Sequence, residues 1–407
     1  MLMLVSLCLI YALICLTKNC FSSAMVFIVD EGILTKSQTG MITGVFYIIY
    51  AALQLVGGML ADRWKPEALV GIGLVGAGIA NAVIYFNQSY AIMMAAWSFN
   101  AVAQFAVWPS IFKIMSTMLS PEHRAKGLFI VMLANPAGVM VSYLTAAVVS
   151  RWQNNFLISS VGLLVSAVYW IILCAVSSRS LITETVDSDA PKSKRTGNGN
   201  SGEFNLVGAL FRSGAMLLVV VAFIKTAFDL GVKSLMPSII KESYSEVSPK
   251  LATILSIIVL VAGVVGLYTA KFWYPGRFRT EASATAAMFV MALIPCGVAL
   301  FIGKISYWFI VAALALLVLL MSSVGLYATS YLPTRFEKWG KGGTIAGVTN
   351  FAASLGVVLA NMVFTRIADA VGWIITVRIW FVILAVGAAL ALLAIPLWNR
   401  FLRKEGL

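Results

Sequence analysis

Three ionisable residues, Lys225, Asp229 and Lys233, recur at every fourth position inside one long apolar run of the chain. In a helix that spacing sets all three on one face. A charge near the centre of a membrane-spanning helix costs about 2.5 to 3.5 kcal/mol on insertion scales, so charges kept there mark pathways, relays or pairs. Lys18 lies near the middle of another apolar run. Of the sixteen acidic residues, Asp229 is the one set deep in such a run, whereas Asp30, Glu31, Asp62 and Glu67 fall at run ends. A lysine in this setting offers positive charge to a carboxylate or similar anion. Asp229 can bind an ammonium or hydroxyl group of the same ligand, or exchange a proton with it. It can equally do no more than neutralise Lys225 or Lys233 along its own helix, and Lys233 can reach the interface on its apolar stem. Uncharged polar groups add to the set. Asn100 and Gln104 share a helix face, as do Asn350 and Ser354; Asn135 precedes Pro136; Tyr47, Tyr50 and Gln54 follow near-helical spacing. Such groups line a polar pathway or join helices by hydrogen bonds.

Other chemistries find no support in the sequence. The five cysteines all fall in apolar stretches without CxxC or Cys/His spacing, so neither a disulfide framework nor a zinc site is expected. Gly71-Ile-Gly73-Leu-Val-Gly76 matches GxGxxG. A dinucleotide site needs a strand before those glycines; here they sit inside an apolar run, where small residues serve helix packing. The sole histidine, His123, lies in the polar loop Ser120–Gly127, and no P-loop, HExxH or nucleophile elbow occurs. No cofactor, no metal and no enzymatic activity are expected.

The elements that hold these residues follow from composition. The chain has 407 residues, 61% of them hydrophobic and 11% charged, with a mean hydropathy of +0.94. That excludes a soluble domain of ordinary make-up, a disordered scaffold and a secreted disulfide module. Apolar helices are expected at about 3–29, 38–61, 67–86, 90–117, 127–149 and 155–177, and again at about 212–240, 250–273, 282–303, 305–332, 344–370 and 374–398. Between the two sets, residues 178–208 carry Pro191–Arg195 and Gly197–Gly202, a composition that reads as a linker. These runs are too long and too continuously apolar for barrel strands. The expected architecture is an all-α membrane protein with twelve transmembrane helices in two six-helix bundles, residues 1–177 and 209–407. The start Met1-Leu-Met-Leu-Val has no basic residue before the apolar run and reads as a first span rather than a cleaved signal.

Lysine and arginine crowd alternate loops (Arg63, Lys65, Arg124, Lys126, Arg179, Lys192, Lys194, Arg195, Arg212, Lys271, Arg277, Arg279, Arg335, Lys338, Lys341, Arg400, Arg403, Lys404) and are sparse in the others (Lys36, Arg151, Lys241, Lys250, Lys304, with Arg366 and Arg378 near span ends). The positive-inside rule then puts both termini and the linker in the cytoplasm. The formal net charge of +13 is a topology signal, and no nucleic-acid partner is needed to explain it.

Gly58-Met-Leu-Ala-Asp62-Arg63-Trp-Lys65 resembles the loop motif GxLaDRxGrk of the major facilitator superfamily. The likeness implies a gate contact at Gly58, Asp62 and Arg63: glycine packs closely, and the charges act at helix ends. The second-half equivalent, Gly266-Leu-Tyr-Thr-Ala-Lys271, has lost the aspartate. Within the superfamily the chain is similar to the organophosphate:phosphate antiporters, the glycerol-3-phosphate and hexose-phosphate carriers. The residues that carry this likeness are Lys18–Met25 with Val29–Gly32, Gln104–Pro109, Gly231–Pro237 with Lys241-Glu242, and Gly343–Gly356. It implies two pseudo-symmetric bundles with a substrate site near mid-membrane between the halves, working by alternating access.

Those antiporters clamp phosphate with one arginine in the first span and one in the seventh. The matching positions here are Lys18 and Asp229, and the family's fifth-span histidine matches Asn135. A bidentate guanidinium clamp cannot be built from lysine and aspartate, and a carboxylate repels a dianion. The expected function is therefore secondary transport of a small anionic or zwitterionic carboxylate metabolite, coupled to protons through Asp229. The substrate side chains are expected from Lys18, Asp229, Lys225, Lys233, Asn135, Gln104, Asn100, Tyr47, Tyr50, Gln54 and Asn350. Organophosphate exchange, multidrug export and ligand sensing without transport remain as alternatives. The expected partners are the substrate, protons and the lipid bilayer; the expected form is a monomer in the bacterial inner membrane.

Overall fold

A computed structural model describes residues 2–118, 121–181, 206–336, 339 and 342–406. Side chains in several stretches within these, 54–56, 58–59, 61–63 and 121–130 among them, lie outside the description. Regular structure among the described residues is helical throughout. The elements are α1 (Leu2–Lys18), α2 (Cys20–Asp30), α3 (Lys36–Arg63), α4 (Pro66–Phe86), α5 (Tyr90–Gln104), α6 (Val107–Met118), α7 (Pro121–Val148) and α8 (Gln153–Leu181). They continue with the short α9 (Leu206–Arg212), α10 (Ala215–Ser243), α11 (Pro249–Lys271), α12 (Glu281–Ala299), α13 (Tyr307–Leu326), the single turn α14 (Leu332–Thr334), α15 (Gly342–Val358) and α16 (Thr365–Glu405). Each expected span falls on helix. Nine stretches among the described residues are long and apolar enough to cross a membrane, and the chain is a multi-pass membrane protein. Residues 182–205, most of the expected linker, lie outside the described residues.

Local chemistry sets the helix ends. Ser248 caps α11, its hydroxyl accepting the Leu251 N–H at 3.2 Å, with Pro249 at the first helical position. Thr280 caps α12 in a reciprocal box with Ser283. The last apolar stretch, Gly347–Glu405, is 59 residues long, nearly three times the roughly 20 residues needed to span a bilayer. Gly372 divides it with φ +79° and ψ 169°, a backbone conformation open essentially to glycine alone. Three breaks were not legible in sequence. A one-residue interruption at Asn19 separates α1 from α2, where the Asn19 amide turns back to the Cys15 carbonyl at 2.8 Å. π-helical turns at Tyr327–Tyr331 and Leu359–Phe364 interrupt the helices that follow α13 and α15.

The chain forms two compact units: Met1–Cys20, Ile49–Ser142 and Val149–Asn200 in one, and Phe21–Ile48, Tyr143–Val148 and Ser201–Leu407 in the other. In the first, α4 packs against α5, α6 and α8 around Leu7, Ile14, Leu74, Ile111 and Trp170. The GxGxxG run belongs to this packing. A Cβ at Gly73 would run into Val107, and one at Gly76 would come within 2.6 Å of the Ala103 Cβ. In the second unit, α10 is the central element, in contact with α11, α13, α15 and α16. Its core includes Phe228, Leu235, Phe289, Leu317 and Trp380, with the Phe228 and Trp380 rings edge to face at 5.8 Å. Close backbone approaches need small residues here too: a Cβ at Gly266 would strike the Leu319 carbonyl, and one at Gly356 the Phe223 carbonyl.

Candidate functional site

The i, i+4, i+8 row on α10 forms as its spacing demands. Lys225 Nζ donates to Asp229 Oδ2 at 2.9 Å and Lys233 Nζ to Asp229 Oδ1 at 2.5 Å. Lys225 and Asp229 are both buried, and Lys233 is partly so. Two cations on one carboxylate leave this buried row with a formal charge of +1. A neighbouring helix completes it: Ser322 of α13 donates its hydroxyl to Asp229 Oδ1 at 2.7 Å and accepts from Lys233 Nζ at 3.3 Å. Asp229 thus accepts from three donors, the saturation that a buried carboxylate requires.

Room for the two ammonium groups comes from glycines on the facing helices. A Cβ at Gly325 of α13 would lie 2.7 Å from Lys225 Nζ, and one at Gly263 of α11 2.6 Å from the Lys233 ammonium and its Cε. The backbone of α10 is held at the same level by Tyr143 of α7, whose hydroxyl donates to the Lys233 carbonyl at 2.8 Å. The next residue, Ser234, donates its hydroxyl to Asn361 Oδ1 at 3.1 Å. Ser322, Tyr143, Gly325 and Gly263 were not singled out in the sequence; the only signal was Ser322-Ser323 inside an otherwise apolar run.

Lys18 belongs to the other compact unit and is described with its own partners. It ends α1, where a cation complements the helix C-terminus. Its Nζ donates to the Tyr50 hydroxyl at 2.7 Å and lies 4.0 Å from the centre of that ring, a cation–π distance. Gln104 and Asn100 are fully buried on one face of α5, joined by Gln104 Nε2 to Asn100 Oδ1 at 2.6 Å, with Thr17 Oγ1 of α1 at 3.5 Å. Gln104 Oε1 and Asn100 Nδ2 have no hydrogen-bond partner among the described residues. Orphaned buried amide atoms are uncommon and call for a water or ligand partner. Asn135 is exposed, its amide 3.5 Å from the Tyr11 hydroxyl. Asn350 is exposed, and Tyr47 is half-buried with its ring edge-on to Phe46. The side chains of Gln54, Asp62 and Arg63, and the position of Gly58 within its packing, lie outside the description.

Two further charged clusters stand in the second unit. Glu281, 2% exposed at the start of α12, accepts from Arg335 Nε at 2.7 Å, from the Tyr274 hydroxyl at 2.9 Å and from Trp398 Nε1 at 3.1 Å. Arg335 also donates to the Tyr274 hydroxyl at 2.7 Å. This is a second buried acid, one that the sequence reading placed at no site. Where α2 and α10 end and α3 begins, Lys36 pairs with Glu242 at 2.5 Å and stands 3.7 Å from Asp369. Trp373 Nε1 donates to Glu242 at 3.0 Å, and Lys241 pairs with Asp30 at 3.4 Å.

Long apolar helices, small-residue crossings and charges buried on one central helix define an all-α membrane protein. Residues 7–361 match the family model of the Major Facilitator Superfamily, and the chain belongs to that superfamily. It is 29% identical to the membrane sensor protein UhpC of Salmonella typhimurium over 174 residues, 42% of this chain and 39% of that protein. It is 23% identical over 154 residues to a probable hexose phosphate transport protein of Chlamydia trachomatis, 37% of this chain and 34% of that one. The matched segments therefore span less than half the length of these relatives. In fold the chain is similar to a bacterial homologue of the human lysosomal transporter Spinster solved in an inward-facing, occupied conformation, with a TM-score of 0.75, 15% identity, and coverage of 98% of this chain and 97% of that one. This is the fold of non-catalytic transport proteins rather than of enzymes.

Proposed function

We propose that this chain is a secondary transporter that moves a small anionic or zwitterionic carboxylate metabolite by alternating access, coupled to protons. The observation that carries the proposal is the buried row Lys225–Asp229–Lys233, whose formal charge of +1 favours a guest of negative charge. A proton arriving on Asp229 removes the counter-charge from both ammonium groups, and a substrate carboxylate can then take their hydrogen bonds. Anion and proton would enter together, with Ser322 keeping its hydrogen bond to the protonated acid. Hydroxyls or an ammonium on the substrate would need acceptors from further polar side chains. The orphaned amide atoms of Gln104 and Asn100, and Lys18 on Tyr50, support a polar rather than lipophilic cargo, which disfavours multidrug export. Asn135, Tyr47 and Asn350 are proposed as further substrate contacts, and Gly58, Asp62 and Arg63 as the gate. The loop charges support both termini in the cytoplasm of a bacterial inner membrane.

The likeness to hexose-phosphate carriers leaves organophosphate exchange as a competing cargo, disfavoured by the carboxylate between the lysines. The likeness to UhpC, a sensor by name, favours a second reading in which ligand binding is signalled rather than followed by transport. Uptake of labelled sugar acids, short hydroxy acids and phosphorylated sugars by proteoliposomes separates these. Accumulation of a carboxylate driven by an inward proton gradient is expected. Binding without counterflow would replace transport with sensing, and counterflow of phosphate would restore the organophosphate reading.

A further inference from the structure

The first compact unit carries an apolar groove on its outer surface that the transport reading does not use. Its floor is the face of α4 that bears Gly71 and Val75, its walls are Phe99 of α5 and Ile171 and Cys174 of α8, and its volume is about 640 Å³. That volume lies in the range of small-molecule sites. The rims are open to the surroundings, with Ile72 57%, Phe99 48% and Ile171 59% exposed. Gly71 differs from the other glycines of its run. A Cβ there would meet only the Trp170 ring at 3.8 Å, an ordinary contact, so close helix packing does not require glycine at this position, and its absent side chain deepens the groove.

The groove has a polarity. Lys65 and Glu67 line one end, and the remainder is apolar to Ile79 and Phe99. Beside Lys65, Trp64 is 59% exposed, and exposed tryptophan next to lysine at a helix end marks the headgroup level of a bilayer. From Lys65 to Ile79 the helix rises about 21 Å, somewhat more than the depth of one leaflet, about half of a roughly 30 Å hydrocarbon core. A ligand that fits is charged at the interface and has an unbranched apolar body of one leaflet's length.

The geometry points to a retained glycerophospholipid, with one acyl chain laid along α4 between Phe99 and Ile171 and its phosphate held by Lys65. The phosphate is common to all glycerophospholipids, and Lys65 takes it as a point charge. Retention differs from ordinary lipid contact because the chain would lie in an open groove over α4 flanked by α5 and α8.

Native mass spectrometry on the full chain tests this, after reconstitution in vesicles of phosphatidylglycerol and phosphatidylethanolamine and extraction into detergent. The wild type is expected to keep one phospholipid per chain. Val75→Trp, which fills the groove from a partly exposed position, and Lys65→Glu, which repels phosphate, are each expected to lower that occupancy about tenfold. Val165→Trp, on an exposed part of α8 outside the groove lining, should keep it. Circular dichroism and elution volume identify variants that do not fold. Equal retention by the wild type, Val75→Trp and Lys65→Glu would overturn the assignment. So would a wild-type dimer that Val75→Trp dissociates, since a second copy of the chain would then be the occupant.

Discussion

Lys225 and Lys233 hold opposite oxygens of one carboxylate: Lys225 bonds Asp229 Oδ2 and Lys233 bonds Asp229 Oδ1. The two ammonium groups come from successive turns of the same helix, so the carboxylate is gripped from both sides along the helix axis. Neither lysine is tied to a second acid by an ion pair among the described residues. Removing the one carboxylate therefore strips the counter-charge from a buried and a partly buried cation at once.

Asp229→Asn is expected to destabilise the protein by about 3 to 5 kcal/mol, the range for breaking a buried ion pair from one side. Thermal unfolding in detergent, compared with Lys225→Met and with the double variant, measures it. The double variant should regain part of the loss, because one stranded cation goes with the acid. An Asp229→Asn protein as stable as the wild type would mean that solvent screens the row. In proteoliposomes the same variant should lose proton-driven net uptake while retaining exchange. Net uptake with unchanged pH dependence would remove Asp229 as the coupling group.

Ser322→Ala removes a single hydroxyl donor from Asp229 and should cost about 0.6 kcal/mol, the average for hydrogen bonds between membrane helices. Gly325→Ala acts on the same row from the other side, since the new methyl displaces the Lys225 ammonium rather than any backbone. Its effect should be read in substrate affinity, with unfolding temperature nearly unchanged. A large stability loss in Gly325→Ala would show instead that the α10–α13 approach itself needs glycine.

Glu281→Gln keeps the shape of the side chain that receives Arg335, Tyr274 and Trp398 but removes its charge. The variant leaves a guanidinium facing a neutral amide, and a loss of about 3 kcal/mol is expected. Arg335→Lys, which keeps charge without the planar fork, should fall between the wild type and Arg335→Ala. Equal stability of all three would place the network outside the structural core.

Lys36 and Glu242 are only partly exposed, and Trp373 adds a hydrogen bond to the same carboxylate oxygen. A double-mutant cycle with Lys36→Gln and Glu242→Gln should give a coupling of about 1 kcal/mol, at the upper end of values for surface pairs. High salt should reduce it. A cycle of zero would reduce the contact to crowding.

The sequence was most legible where function and regularity share one helix. Lys225, Asp229 and Lys233 could be placed on one face because a helix repeats every 3.6 residues, and both the run that holds them and the glycine-bearing α4 were visible as apolar stretches. The division near 370 was visible for a similar reason: apolarity lapses there, and Gly372 supplies the backbone freedom for the break. Asn19 had no such mark. No glycine or proline announces that interruption, and a continuous apolar run on both sides masks it.

Sequence alone determined that this chain spans a membrane by helices, which residues carry charge into it, and that Asp229 has cations within reach along its own helix. Whether the acid bonds one lysine or both, and that Ser322 completes its shell, only the tertiary structure decided. Helical periodicity fixes neighbours four residues apart, whereas contacts such as Ser322 with Asp229, or Glu281 with Arg335, join residues 93 and 54 positions apart. Those pairings depend on how side-chain volumes and glycine gaps let separate helices approach, and no local spacing encodes that.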